Sequence, residues 1–284
     1  MPEKPDIRDE KEKDFERKKQ KFFIKLGLRV REALKLHKTP GLLWQRNEKG
    51  GREWGNVSEH CLVELARFGI FAEKLGFSGS GRRNGELAAA IHDFNKRNEI
   101  LAMEADLKQG GTGREVSDAS DKEGIDALRK AGFNDEVITI ANSVGGKPPT
   151  LFAIAEILQK ESLLETDTAR LTIHYVDGYT RGSEWVEPAI TAESGEVTNE
   201  VDRRTQKNLE NPNYLRQNQD SVAAFADHPL LQGRGPIENE GLVCHMIERR
   251  LAEIITQRTG EKIDPLALPE IIDQEIRKKI EEEE

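Results

Sequence analysis

The feature that most constrains the fold of this chain is a set of apolar residues that recur with the period of an α-helix. Glycine or proline ends most of these stripes, and no segment alternates apolar and polar residues over a useful length. Residues three and four positions apart share one helical face, which is buried against another element. We therefore predict an all-α fold. The strongest stripe precedes Gly260 and comprises Leu242, Val243, Met246, Ile247, Leu251, Ile254 and Ile255.

The same patterns divide the chain into a central helical domain with charged ends. Residues 1–20 are rich in Lys, Glu, Asp and Arg, which predicts a solvated helix or a frayed tail. The main domain is expected at residues 21–260, and its first helix should dock on the rest and end at Pro40. Residues 261–284 are interpreted as a C-terminal helix followed by an acidic tail.

Composition limits the classes of partner. The chain has 284 residues, 33% of them charged, with a formal net charge of −9. An acidic balance argues against a dedicated binder of long nucleic acid, which usually has a basic surface. A small phosphorylated substrate stays possible, because a metal ion can supply local positive charge. The two cysteines lie in helical patterns, which fits buried thiols in a reducing compartment. The sequence shows no apolar signal region and no apolar run of membrane-spanning length. We therefore expect a cytoplasmic protein.

The segment with the clearest chemistry is Ala88-Ala89-Ala90-Ile91-His92-Asp93-Phe94-Asn95-Lys96. An imidazole and a carboxylate are both good metal ligands. Adjacent side chains on a helix diverge by about 100°, so both can reach one ion only where the helix bends or ends against it. Taken alone, the doublet favours a plain helix end with a solvated carboxylate.

Two further segments strengthen the metal hypothesis. His60 lies in the first turn of a helix expected to begin at Asn56, and Asp177 lies in a later apolar helix. The order His, then His-Asp, then Asp resembles the HD-domain superfamily of metal-dependent phosphohydrolases, over roughly residues 55–180. The resemblance implies an HD-domain helical bundle with additional N- and C-terminal helices. It also implies a divalent metal held by His60, His92, Asp93 and Asp177.

The ligand types do not select the ion, so Mn, Fe, Co, Ni, Mg and Zn are all candidates. Such an ion would lower the pKa of water and polarise a phosphoryl oxygen. Asp93 is the expected link between metal binding and the orientation of that water. Lys96 is expected to neutralise charge on phosphate oxygens. Both residues are therefore candidate catalytic groups.

Three arginines are candidates for binding a substrate phosphate, because guanidinium groups match phosphate oxygens. Arg82 and Arg83 lie in a Gly- and Ser-rich segment that we interpret as a loop, and Arg181 closely follows Asp177. For Arg82 and Arg83, a solubilising role is the alternative.

Other polar features are weaker signals. Glu59 and Glu99 could transfer protons but would more often be solvated. His174 lies one turn before Asp177 and could be an additional ligand or a partner of a ligand, although a surface position is favoured. The glycine-rich residues 109–114 lack the ending of a phosphate-binding loop and could form a lid.

We therefore expect a metal-dependent phosphomonoesterase, phosphodiesterase or nucleotide hydrolase acting on a small phosphorylated substrate, with a nucleotide as the first candidate. One alternative is an HD-type di-iron oxygenase, which the absence of histidine from residues 140–145 disfavours. An HD nuclease that acts with a partner and a non-catalytic HD protein are further alternatives. The sequence indicates neither the oligomeric state nor the identity of the substrate.

Overall fold

A computed structural model describes residues 7–38, 56–110, 114–195 and 197–283. Within these ranges the fold is all-α, as predicted. The helices are α1 (Ile7–Arg29), α2 (Arg31–Leu34), α3 (Asn56–Leu75), α4 (Gly79–Ile91), α5 (Lys96–Lys108), α6 (Arg114–Lys130), α7 (Asp135–Ala141), α8 (Pro148–Leu158), α9 (Glu165–Tyr179), α10 (Glu200–Glu210), α11 (Pro212–Asp220), α12 (Pro236–Thr259) and α13 (Leu268–Glu281). Two-residue strands, β1 (Ile190–Thr191) and β2 (Val197–Thr198), pair antiparallel. Single 3-10 turns span Lys35–Lys38, Val222–Phe225 and Pro265–Ala267.

Helix α9 forms the centre of the fold, because it is buried along most of its length. Helices α3, α4, α7 and α12 pack around it, and α3 also packs against α4. Their apolar side chains join one continuous core. The apolar stripe that begins at Leu242 lies in α12, as the periodicity predicts. Burial of the hydrophobic side chains on these helices is the main stabilising contribution to the fold.

Helix α4 begins earlier than the sequence pattern indicates, and the loop predicted around Arg82 and Arg83 is wrong. The glycines of this segment are contact points rather than breaks. A Cβ atom at Gly85 would overlap the ring of Phe68, and one at Gly81 would overlap the carboxylate of Glu165. The small residues therefore let α4 approach α3 and α9 closely.

The end of α4 creates the geometry that an adjacent pair of ligands needs. The helix ends at Ile91, and His92 to Asn95 form a turn before α5 begins at Lys96. The amide of His92 still donates to the carbonyl of Ala88, at 3.0 Å, whereas the amide of Lys96 donates to the carbonyl of Asp93. Lys96 therefore opens a new helix instead of continuing α4.

The terminal helices pack together on the main body. Helix α1 runs without a break across the boundary we had placed between residues 20 and 21, and both α1 and α13 pack on α3. Lys18 donates to the carbonyl of Glu281 at 2.7 Å. The segment around Pro40, and residues 111–113 of the glycine-rich loop, lie outside the described residues. Among the described helices, none combines the length and apolar character that crossing a membrane requires.

Candidate metal centre

Three helices bring four potential metal ligands to one place. His60 and Glu64 lie one turn apart on α3, His92 follows the end of α4, and Asp177 lies on α9. One ligand atom from each of these residues lies within 4.8 Å of all the others. This group, which we call the His/Glu/His/Asp cluster, could hold a metal ion.

Glu64 gives the strongest indication that the cluster needs a cation. Its side chain is fully buried, with Oε1 2.8 Å from Nε2 of His60 and Oε2 3.3 Å from Nε2 of His92. Despite these distances, neither oxygen of Glu64 nor Nε2 of His92 makes a directed hydrogen bond within the described part of the chain. Burying a carboxylate without such bonds is costly. A divalent cation would satisfy all three atoms, so the residues fit a metal.

Both imidazoles are oriented for coordination through Nε2. Nδ1 of His92 lies 3.0 Å from the carbonyl oxygen of Ala89, and Nδ1 of His60 lies 3.1 Å from that of Gly182. A carbonyl oxygen only accepts hydrogen bonds, so Nδ1 of each ring carries a proton and donates it. Nε2 of each ring faces the cluster, and its lone pair becomes available to a metal ion when that nitrogen loses its proton. This arrangement is the usual one for metal-binding histidines.

Asp93 lies at the edge of the cluster, next to Lys96. Its Oδ2 is 3.9 Å from Nε2 of both His60 and His92, and its Oδ1 is 3.6 Å from Nζ of Lys96. Burial raises the pKa of Asp93, but the positive charges of Lys96 and the two histidines outweigh it and lower that pKa. Asp93 in turn raises the pKa of Lys96. The structure therefore brings Asp93 to the predicted place, while its metal role stays a prediction.

Arg204 supports Asp177 from α10, and sequence reasoning missed it. One nitrogen of Arg204 donates to the main-chain carbonyls of Thr180, at 2.7 Å, and Asp177, and the other lies 3.7 Å from Oδ1 of Asp177. Burial raises the pKa of Asp177, but Arg204 and the imidazole of His60, whose Nε2 lies 3.6 Å from Oδ1, hold it well below its usual range. Conversely, burial lowers the pKa of His60, but the charge of Glu64 and its contact with Asp177 raise it well above its ordinary value.

A pocket of about 330 Å³ opens beside the cluster. Among the described residues its lining is mostly polar and includes three cationic side chains; these residues are Val57, His60, Asp93, Thr180, Arg181, Gly182, Arg204, Lys207 and Asn208. A smaller cavity of about 60 Å³ also contacts Asp93 and His92, and it includes Lys96 and Glu99. Asp93 therefore separates the larger pocket from the side on which Lys96 lies.

The predicted substrate arginines have different positions. Arg82 pairs with Glu73 and Glu86, whereas Arg83 donates to the carbonyl of Arg29 at 2.7 Å. Neither residue lines the 330 Å³ pocket, so their substrate role receives no support from these contacts. Arg181 does line the pocket, where its Nε pairs with Glu200.

Most of the weaker candidate site residues make contacts that stabilise the fold. His174 is buried, which contradicts the favoured surface position, and its Nδ1 lies 2.7 Å from the carbonyl oxygen of Ser143. Glu99 accepts from Ser117 at 2.7 Å and from Lys147 at 3.0 Å. Glu59 is half-buried beside His60. Both cysteines are buried free thiols.

Comparison with known proteins gives no relative: no family model, no curated protein and no solved structure matches the chain.

Proposed function

We propose that the chain is a metal-dependent phosphohydrolase of the HD type that acts on a small phosphate ester. The observation that carries the proposal is the buried carboxylate of Glu64, which faces His60 and His92 without directed hydrogen bonds within the described residues. The ordered His, His-Asp and Asp pattern, whose side chains come together around Glu64, adds support.

His60, Glu64, His92 and Asp177 would hold the ion, with Asp93 as a further ligand at the edge. Two imidazoles with two or three carboxylates suit Mn, Fe, Co, Ni, Mg or Zn. When bound, a divalent ion lowers the pKa of water and withdraws charge from a phosphoryl oxygen. Arg204 keeps Asp177 ionised and oriented, since it contacts both the carbonyl and the carboxylate of that residue.

Asp93 would orient the attacking water. Its carboxylate faces both the cluster and the 330 Å³ pocket, and its lowered pKa keeps it ionised near neutral pH as a hydrogen-bond acceptor. In the reaction, the oxygen of water bonds to phosphorus while the bond from phosphorus to the leaving oxygen breaks. One proton of the water passes to the leaving alkoxide and the other stays on phosphate. For a phosphate monoester, the products are an alcohol and inorganic phosphate.

Lys96 acts on this step through Asp93. Its Nζ lies 3.6 Å from Oδ1 of Asp93, on the side of the smaller cavity. The ion pair fixes the carboxylate, so the other oxygen can face the pocket. Direct contact between Lys96 and substrate stays a prediction from the sequence. On the pocket side, the cations of Arg181 and Arg204 favour a negatively charged substrate.

The experiment is a screen for hydrolysis, followed by release of p-nitrophenol or of inorganic phosphate, with each of the six metals separately added. The substrates are p-nitrophenyl phosphate, bis(p-nitrophenyl) phosphate, nucleoside mono-, di- and triphosphates, and aliphatic phosphate monoesters. Metal-dependent release that is lost in Asp93→Asn is the expected result. Release by the wild-type chain that equals release by Asp93→Asn under every metal would overturn the proposal.

The matched control for this screen is Asp118→Asn. Asp118 is an exposed carboxylate on α6 and lines neither cavity. Because the substitution is the same and the site is not involved, this variant should keep wild-type turnover and metal content. Metal content, measured on every sample, separates a lost ion from a lost catalytic contact.

A further inference from the structure

We propose, on the basis of the proposed function, that the substrate carries a second acidic group, and that Lys207 binds it. The group is a phosphate or a carboxylate, held about one helical turn away from the phosphate that is hydrolysed. The substrate class is then a small aliphatic bisphosphate or phospho-acid.

The three cations that line the 330 Å³ pocket differ in how far their charge is already neutralised. Arg204 is engaged by the carbonyls of Thr180 and Asp177 and by the carboxylate of Asp177. Arg181 pairs with the buried carboxylate of Glu200 and lies within 4 Å of two further glutamates. Lys207 is exposed and makes no ion pair or hydrogen bond with another described residue. Its charge is therefore available to a ligand.

The position of Lys207 along α10 sets the distance between the two acidic groups. Lys207 and Asn208 lie three and four positions after Arg204, so both share a helical face with it, and all three residues line the pocket. Arg204 is the member of this face that contacts Asp177 of the cluster. Lys207 follows it by three residues, about 4.5 Å further along the helix axis. A ligand bound at the cluster therefore reaches Lys207 across a short linker.

The lining also indicates what connects the two acidic groups. Of the described residues that line the pocket, Val57 is the one with a purely apolar side chain, and the one aromatic ring is that of His60, which belongs to the His/Glu/His/Asp cluster. A nucleobase usually stacks on an aromatic or arginine face, and the two arginines here are held by carbonyl and carboxylate groups. The volume of about 330 Å³ suits a small ligand. A short polar aliphatic linker fits these features better than a nucleoside.

The test compares propane-1,3-diol bisphosphate with 3-hydroxypropyl phosphate, which differ by one phosphate. The wild-type chain should have the higher kcat/KM for the bisphosphate. Lys207→Gln should lower the ratio of the two kcat/KM values by about tenfold or more, since a hydrogen bond to a charged group is lost. Lys207→Glu should lower that ratio further. A second pair, 3-phosphoglycerate and glycerol 3-phosphate, shows whether a carboxylate can replace the second phosphate.

The control is Lys262→Gln, because Lys262 is an exposed lysine that does not line the pocket. This variant should keep the wild-type ratio. A ratio that is unchanged in Lys207→Gln, or a wild-type chain that prefers the monophosphate, overturns this inference and leaves the hydrolase proposal standing. Failure of the wild-type chain to release phosphate from any ester, p-nitrophenyl phosphate included, instead rejects the hydrolase function itself.

Discussion

Glu64 and Glu248 are both fully buried glutamates with a histidine close to one helical turn before them, but their surroundings differ. Glu248 accepts hydrogen bonds from Tyr175 and Asn199, both at 2.7 Å, and its other oxygen lies 3.0 Å from Nδ1 of His245. Glu64 has no directed hydrogen bond among the described residues. The same residue type, equally buried, therefore accepts directed hydrogen bonds at one position and has only ion-pair contacts with two histidines at the other.

The two histidines show the same contrast. His245 lies between two carboxylates, with Nε2 2.8 Å from Asp202 and Nδ1 next to Glu248, so both of its nitrogens act as donors. Burial lowers the pKa of His245, but these hydrogen bonds outweigh it and raise the pKa to about 9. His60 instead faces a main-chain carbonyl with Nδ1 and the cluster with Nε2. The pKa of both histidines is raised, so the difference lies in the second nitrogen, which faces a carboxylate in His245 and a main-chain carbonyl in His60.

The largest expected effect is a difference in stability between the variants Glu248→Ala and Glu64→Ala. In Glu248→Ala, the donors of Tyr175 and Asn199 and the charge of His245 lose their acceptor. Breaking such a buried pair should lower the free energy of unfolding by about 3–5 kcal/mol. The matched variant Glu64→Ala should be measured by urea unfolding without metal. Its free energy of unfolding should fall by less than half as much as that of Glu248→Ala, because no directed hydrogen bond is removed. Equal losses would show that Glu64 is a structural carboxylate like Glu248.

A second effect concerns pH. The pKa of His245 is about 9 in the folded chain, against an ordinary value of 6.5. Because the folded value is raised, the stabilisation is fully present below pH 6.5 and is lost as the pH rises through 9. The shift in pKa sets an upper limit of about 3 kcal/mol on the free energy of unfolding that is lost over this range. The actual loss should be smaller, because the side chain of His245 is partly exposed to solvent.

Urea unfolding at pH 6 and pH 9.5 measures this effect. The wild-type chain should be less stable at the higher pH, and His245→Gln should lack most of the difference. An identical pH dependence in the two proteins would mean that the network around Glu248 contains no charged imidazole.

A smaller effect is expected at Lys96. Lys96→Ala removes the charge that pairs with Asp93, so turnover should fall by between about tenfold and a hundredfold, as for residues that orient a metal site. Metal content should stay unchanged, because a protonated lysine has no lone pair for the ion. Steady-state kinetics and metal analysis on one sample measure both. Unchanged kinetics, or loss of the metal, would reject the role assigned to Lys96.

Much of the fold could be predicted from the sequence, since apolar periodicity depends on neighbouring residues. The apolar stripe of α12 and its end at Gly260 follow directly from the pattern. The start of α4 could not, because Gly81 and Gly85 serve contacts with distant residues. Local sequence shows a glycine but not the side chain that it makes room for. The sequence therefore favoured a loop at residues 79–85, where the structure has a helix.

The candidate site, like the fold, was predictable only where local spacing determines it. His60, His92, Asp93 and Asp177 were predicted from their order, and the structure brings them close together. Glu64 could have been added, since it lies four positions after His60 on one face of α3. Arg204 could not have been found, because a separate helix, α10, brings it to Asp177. Its role depends on tertiary packing, which no local spacing expresses.

The central claim is that the unsatisfied carboxylate of Glu64 belongs to a metal site. Calorimetric titration of Mn²⁺ and Zn²⁺ into the metal-free wild-type chain, Glu64→Gln and Glu248→Gln tests it most directly. One ion should bind per wild-type chain, and the affinity of Glu64→Gln should fall by about a hundredfold or more, at least the effect of losing a residue that supports a ligand. Glu248→Gln, if folded, should keep the wild-type affinity. Unchanged binding in Glu64→Gln, or no binding by the wild-type chain, would contradict the account.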